Sequence, residues 1–129
     1  EDCCFFATAN MGAEYTGTQT LDRALIDRFN LVELDYMPRS IESKVLVNRV
    51  RVEKDLADLV VGIADTIRSM FKKGELSTGI STRHTMEIAS LVRDGFSVAK
   101  AYEFILFPMF EGDRKQGERS TLYSILTSK

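Results

Sequence analysis

The spacing of apolar residues changes character near Pro38. Ahead of it, residues 3–7 (CCFFA) are apolar on both faces, the pattern of a strand buried on both sides of a sheet. A polar segment with Gly12 and Gly17 then predicts a loop over residues 10–20. Thr20 is placed to cap a short helix at 21–29, with Asp22 in its first turn and Leu21, Ala24 and Leu25 on one face. Asn30 ends that helix, and residues 31–37 (LVELDYM) alternate as a strand, with Val32, Leu34 and Tyr36 on one face and Pro38 closing it.

Beyond Pro38 the period becomes helical. Residues 39–52 predict a helix with Ile41, Val45, Leu46 and Val50 inside. Residues 55–73 give the strongest pattern, with Leu56, Leu59, Val60, Ile63, Ile67, Met70 and Phe71 in register and Gly74 at the end. A third helix runs from a Ser81/Thr82 cap through Met86, Ala89 and Val92 to Gly95. A fourth starts near Ser97 and carries Ala101, Tyr102 and Ile105 up to Pro108. Residues 111–119 read as a charged loop, in which 113–119 (DRKQGER) is a solvated connector or, alternatively, a partner contact, and 120–128 as a last short helix. The expected architecture is an α/β segment at 1–38 followed by an all-α subdomain at 39–129, mostly helical overall. A strand like 3–7 needs neighbours on both edges, and the sequence opens without methionine. Both observations lead to the expectation that it begins inside a domain.

Composition narrows the function classes. The 129 residues are 44% apolar and 28% charged, enough for one core without a disulfide or metal staple. A net charge of −2 argues against a general nucleic-acid surface, and no apolar run approaches the roughly 20 residues of a membrane span. A cytoplasmic protein is expected, with adjacent Cys3 and Cys4 as reduced, buried small hydrophobes. His84 stands alone, so no metal site is expected.

Three polar positions carry candidate chemistry. Asn10 falls where a buried strand meets a loop, where open α/β sheets present polar groups to ligands; an ordinary turn residue would look the same. Arg28 lies in the last predicted turn of its helix, where the dipole favours a cation by about 0.3–1 kcal/mol. Arg83 lies in the first turn of its helix, where the same dipole opposes it; a bound anion such as phosphate would relieve that conflict.

In combination these residues resemble the second half of an AAA+ ATPase of the MoxR-like and cobaltochelatase branch. The matching stretches are FFATAN at 5–10, YTGTQTLDRALIDRFNLVELDYMP at 15–38 and ISTRHTMEIA at 80–89. The resemblance implies that residues 1–38 are the last strands of a P-loop core and residues 39–129 its helical lid. It implies that Asn10 is sensor 1, which orients the attacking water. It makes Arg28, in LIDRF, the arginine finger that reaches a neighbouring subunit's nucleotide. It makes Arg83, in STRH, sensor 2 on the chain's own nucleotide. A guanidinium suits such roles because it stays charged and can bind two phosphate oxygens at once. The Gly17-Thr18-Gln19 triplet is most similar to the ATPase subunit of aerobic cobaltochelatase.

The implied cofactors are ATP and Mg²⁺. The implied partners are further copies in a homo-oligomeric ring and a chelatase or von Willebrand-A-type subunit, with neither nucleic acid nor membrane. No G-x-x-x-x-G-K-[ST] loop and no strand ending in adjacent acids occurs, so the chain by itself is expected to be inactive. Arg23 reads either as a second trans arginine or as an i,i+4 partner of Asp27. The competing expectation is a non-enzymatic helical interaction module derived from such an ATPase. A phosphate loop in the reading frame upstream would separate the two.

Overall fold

A computed structural model describes residues 3–9 and 27–127. The chain divides into two units at the Leu34–Asp35 junction. In the first unit, residues 3–9 and 30–34 carry no regular structure and residues 27–29 form a turn. The strands expected at 3–7 and 31–37 are therefore not formed among the described residues. Extended backbone becomes a strand only when a neighbour accepts its N–H groups and donates to its carbonyls, and no described segment does so. The apolar side chains follow suit: Phe5 is 83% exposed and Phe6 92%. Cys3 and Cys4, expected to be buried, are exposed free thiols because nothing described packs over them.

The second unit is helical. Helix α1 (Arg39–Val45) starts at Pro38, whose carbonyl accepts the Ile41 and Glu42 N–H groups at 2.9 Å each. It runs into one π-helical turn, Leu46–Val50, which stops at Arg51 in the left-handed region (φ 63°). The single helix expected over 39–52 is thus two pieces. Arg93 Nη1 donates to the Val50 carbonyl at 3.0 Å, satisfying an acceptor that the π turn frees. Ile41, expected inside, is half exposed, and the buried positions of α1 are Glu42 and Ser43.

Helix α2 (Lys54–Lys72) presents Ala57, Val60, Val61, Ala64 and Ile67 to the core; Leu59, expected there too, is 39% exposed. It ends where Gly74, at φ +75°, allows the Gly74 N–H to reach the Phe71 carbonyl and the Glu75 N–H the Met70 carbonyl, each at 2.9 Å. Helix α3 (Thr82–Arg93) buries Thr85, Ile88 and Ala89, and Gly95 closes it in the same way. Helix α4 (Val98–Leu106) is capped by Ser97 Oγ, which accepts the Lys100 N–H at 3.3 Å, and passes into a 3₁₀ turn, Phe107–Met109. Helix α5 (Glu118–Thr127) contributes Leu122 to the core.

The core is formed by Leu46, Val60, Val61, Ile67, Ile80, Ile88, Tyr102, Leu106 and Leu122, none more than 2% exposed. Tyr102 is fully buried, and its hydroxyl donates to the Val60 carbonyl at 2.6 Å; burial pushes its pKa far above the ordinary phenol value, so it remains a donor. The 111–119 segment is more than a solvated connector. Arg119 Nε lies 2.8 Å from both the Phe107 and Phe110 carbonyls, tying the 3₁₀ turn to α5. No described helix is long and apolar enough to cross a membrane.

Candidate functional site

Ser81 begins α3 as its N-cap, and its backbone N–H donates to His84 Nδ1 at 3.1 Å. That ring nitrogen therefore carries no proton, and the imidazole serves as a capping acceptor where a capping box would place Glu. Arg83 lies between these two residues in the first turn. It is exposed, makes no ion pair among the described residues, and lines an open groove with Met86, Glu87 and Ser90 on its own helix and Ile105 on α4. The arginine that the sequence places against the helix dipole does lie in the first turn of α3, with no described acid paired to it.

The opposite face of that turn is pinned from inside. Glu42 is fully buried and Arg68 only 3% exposed. The two form a bidentate pair, with Arg68 Nη1 2.6 Å from Glu42 Oε2 and Nη2 2.9 Å from Oε1. Arg68 Nε donates to the Ile80 carbonyl at 2.8 Å, just ahead of the Ser81 cap. The Thr85 hydroxyl donates to Glu42 Oε1 at 2.7 Å. One carboxylate and one guanidinium thus join α1, α2, the segment leading into α3 and the first turn of α3. Burial works to raise the Glu42 pKa, but the bonds from Arg68 and Thr85 outweigh it and hold the carboxyl below its ordinary range. Burial likewise opposes the charge on Arg68, and Glu42 more than restores it.

Sequence reasoning missed this pair. The available signal was a charge on an apolar stripe: Arg68 follows Ile67 and falls four residues after Ala64, both buried. The three residues expected to carry chemistry are distributed differently. Arg83 is on α3 as described. Arg28 is an exposed residue of the 27–29 turn in the first unit, with no ion pair among the described residues. Asn10 lies outside the described residues, as do Arg23 and the Gly17-Thr18-Gln19 triplet.

Residues 42–123 match the family model described as CbbQ/NirQ/NorQ C-terminal. The matched span runs from the buried Glu42 past the start of α5, and so contains the pair, the groove and Arg83. The chain belongs to the CbbQ/NirQ/NorQ C-terminal family. This family domain is of the MoxR-like AAA+ type. It is 35% identical over 124 residues to BssE of Thauera aromatica, a protein named as a chaperone, covering 96% of this chain and 39% of that protein. It is 33% identical over 90 residues to the aerobic cobaltochelatase subunit CobS of a Sinorhizobium species, covering 60% of this chain and 27% of that subunit. The chain therefore spans well under half the length of either relative.

Proposed function

We propose that this CbbQ/NirQ/NorQ C-terminal domain is the lid of a ring-forming AAA+ ATPase, with residues 1–38 as the end of its α/β core. On this reading ATP hydrolysis drives metal insertion by a chelatase, as the CobS likeness suggests, or protein remodelling, as the BssE likeness suggests. Arg83 faces the γ-phosphate of the chain's own nucleotide, while Arg28 reaches the neighbouring subunit's site and Asn10 orients the attacking water. Phosphoryl transfer depends on positive charge placed against the γ-phosphate, so fixed guanidinium groups are the contribution a lid can make. The Mg²⁺ that accompanies ATP is held by the part of the module carrying the phosphate loop. The parent assembly is a cytoplasmic homo-oligomeric ring, open to a chelatase or von Willebrand-A-type partner.

One observation carries the reading: an exposed arginine with no ion pair among the described residues stands on the first turn of a helix whose other face is locked by a buried ion pair. The residues fit the phosphate end of a nucleotide, since the α3 N-terminus and the Arg83 guanidinium offer donors and positive charge together. In the full-length protein, Arg83→Gln is expected to lower ATP turnover about tenfold or more, the loss of a charged hydrogen bond to a phosphoryl group. Unchanged turnover would remove the assignment. The alternative, a helical interaction module without a motor, draws support from the edge-to-face Phe96–Phe104 pair, whose rings are 43% and 50% exposed. It predicts no turnover by the full-length wild-type protein.

A further inference from the structure

The first turn of α3 has two faces with opposite surroundings. Thr85 is buried on the inner one, with its hydroxyl on the Glu42 carboxylate, while Thr82, three residues earlier, is half-buried and borders the groove. Arg83, rotated about 100° from Thr82, shares the outer face with Met86, Glu87 and Ser90 along the groove. What fixes the inner face therefore sets the direction from which Arg83 leaves the helix.

The inner contacts continue outward. Arg68 holds Glu42 with two bonds and the Ile80 carbonyl with a third, and its guanidinium lies 4.7 Å from the centroid of the Tyr36 ring. Tyr36 also has Lys72 over its ring at 5.6 Å, and Lys72 pairs with Asp35 at 2.8 Å. The tyrosine is seated over Gly79, where a β-carbon would collide with its hydroxyl and with Phe71. The segment entering the helical unit is thus strapped to α2 at the same guanidinium that braces the start of α3.

We propose that Thr85, Glu42 and Arg68 are positioning residues for Arg83, and that Tyr36 extends this brace to the segment entering the helical unit. The inference rests on the nucleotide-facing role of Arg83. A strap that moves with Tyr36 would shift Arg68, and through Glu42 and Thr85 the first turn of α3, without any of these side chains touching nucleotide. The links from Thr85 through Glu42 and Arg68 to the Tyr36 ring are charge-assisted bonds or a cation stacked on a ring, and each is buried or half-buried, whereas the Lys72–Asp35 pair beside them is exposed.

The test is epistasis with Arg83 in ATP turnover by the full-length protein, with thermal unfolding followed alongside. Thr85→Val keeps the side chain's shape and removes the hydroxyl; it is expected to lower kcat about tenfold with little change in KM, the effect of losing one hydrogen bond to a charged group. Thr85→Ser, which keeps the hydroxyl, restores kcat. In an Arg83→Gln background, Thr85→Val lowers kcat no further. Tyr36→Leu, which removes the ring at a half-buried position, gives the same epistasis with a smaller drop of about threefold, and keeps the test available if Thr85→Val does not fold. Equal fold losses in the wild-type and Arg83→Gln backgrounds, or no loss in the wild type, would overturn the proposal while Arg83→Gln itself remains slow. A silent Arg83→Gln would instead defeat the functional reading beneath it.

Discussion

Glu42→Ala is expected to destabilise the helical unit by about 3–5 kcal/mol, the cost of leaving one member of a buried ion pair without its partner. Arg68, at a position 3% exposed, would lose both bonds to Glu42 and keep as acceptors only the Ile80 carbonyl and a longer contact to the part-exposed Asp65 at 3.4 Å, while the Thr85 hydroxyl would fall back on the Thr82 carbonyl. Replacing both residues by methionine is expected to be far milder, near neutral in stability, because the apolar pair needs no compensation. Urea unfolding of the wild type, the single variant and the double variant measures the difference directly. A single variant within about 1 kcal/mol of wild type would show that the pair does not hold the unit together.

The same carboxylate gives a pH signature. Its folded pKa lies below the ordinary glutamate value of 4.5, so its stabilising contribution is complete above that value. The contribution is lost as pH falls through the lower folded value. Acid should therefore weaken the wild type below pH 4.5 more steeply than the double methionine variant.

Arg28→Ala is expected to reduce ATP turnover of the assembled full-length protein about a thousandfold or more, the scale of a missing arginine finger. Nucleotide binding should stay within about twofold, because a trans finger contributes to the transition state more than to the ground state. Wild-type subunits mixed with a growing share of Arg28→Ala subunits should lose activity as the mutant displaces neighbours. Steady-state hydrolysis across such a mixing series checks this. Turnover by the pure variant equal to wild type would remove Arg28 from the mechanism, and its exposed position in the 27–29 turn would then be an ordinary solvated arginine.

Much of the helical unit is legible because its helices bury one stripe each. The period through Val60, Ile63 and Ile67, the Ser81 and Ser97 caps, and the glycine ends at Gly74 and Gly95 all specify α2, α3 and α4 locally. The place of Arg83 in the first turn of α3 is legible for a related reason: it follows from the Ser81 cap alone and needs no knowledge of packing. The strands at 3–7 and 31–37 are not decided locally, since alternation specifies which faces would be buried but supplies no ladder partner. Glu42 escapes periodicity too. It is a carboxylate on a short helix, and its burial makes sense only with Arg68, 26 residues away on another helix. Leu59 and Ile41 fall on stripes that the period assigns to the core, but the core is narrower than those stripes and leaves them at its edge. Arg51, with its left-handed backbone, ends a π turn that no helical period would forecast.

On the proposed function, Arg83 distinguishes the γ-phosphate of a bound nucleotide. The most direct measurement compares the affinities of the full-length protein and its Arg83→Gln variant for a non-hydrolysable ATP analogue and for ADP. The variant is expected to bind the ATP analogue about tenfold more weakly, the worth of one charge-assisted bond, while its affinity for ADP changes little. Equal affinities of wild type and variant for both nucleotides would contradict it.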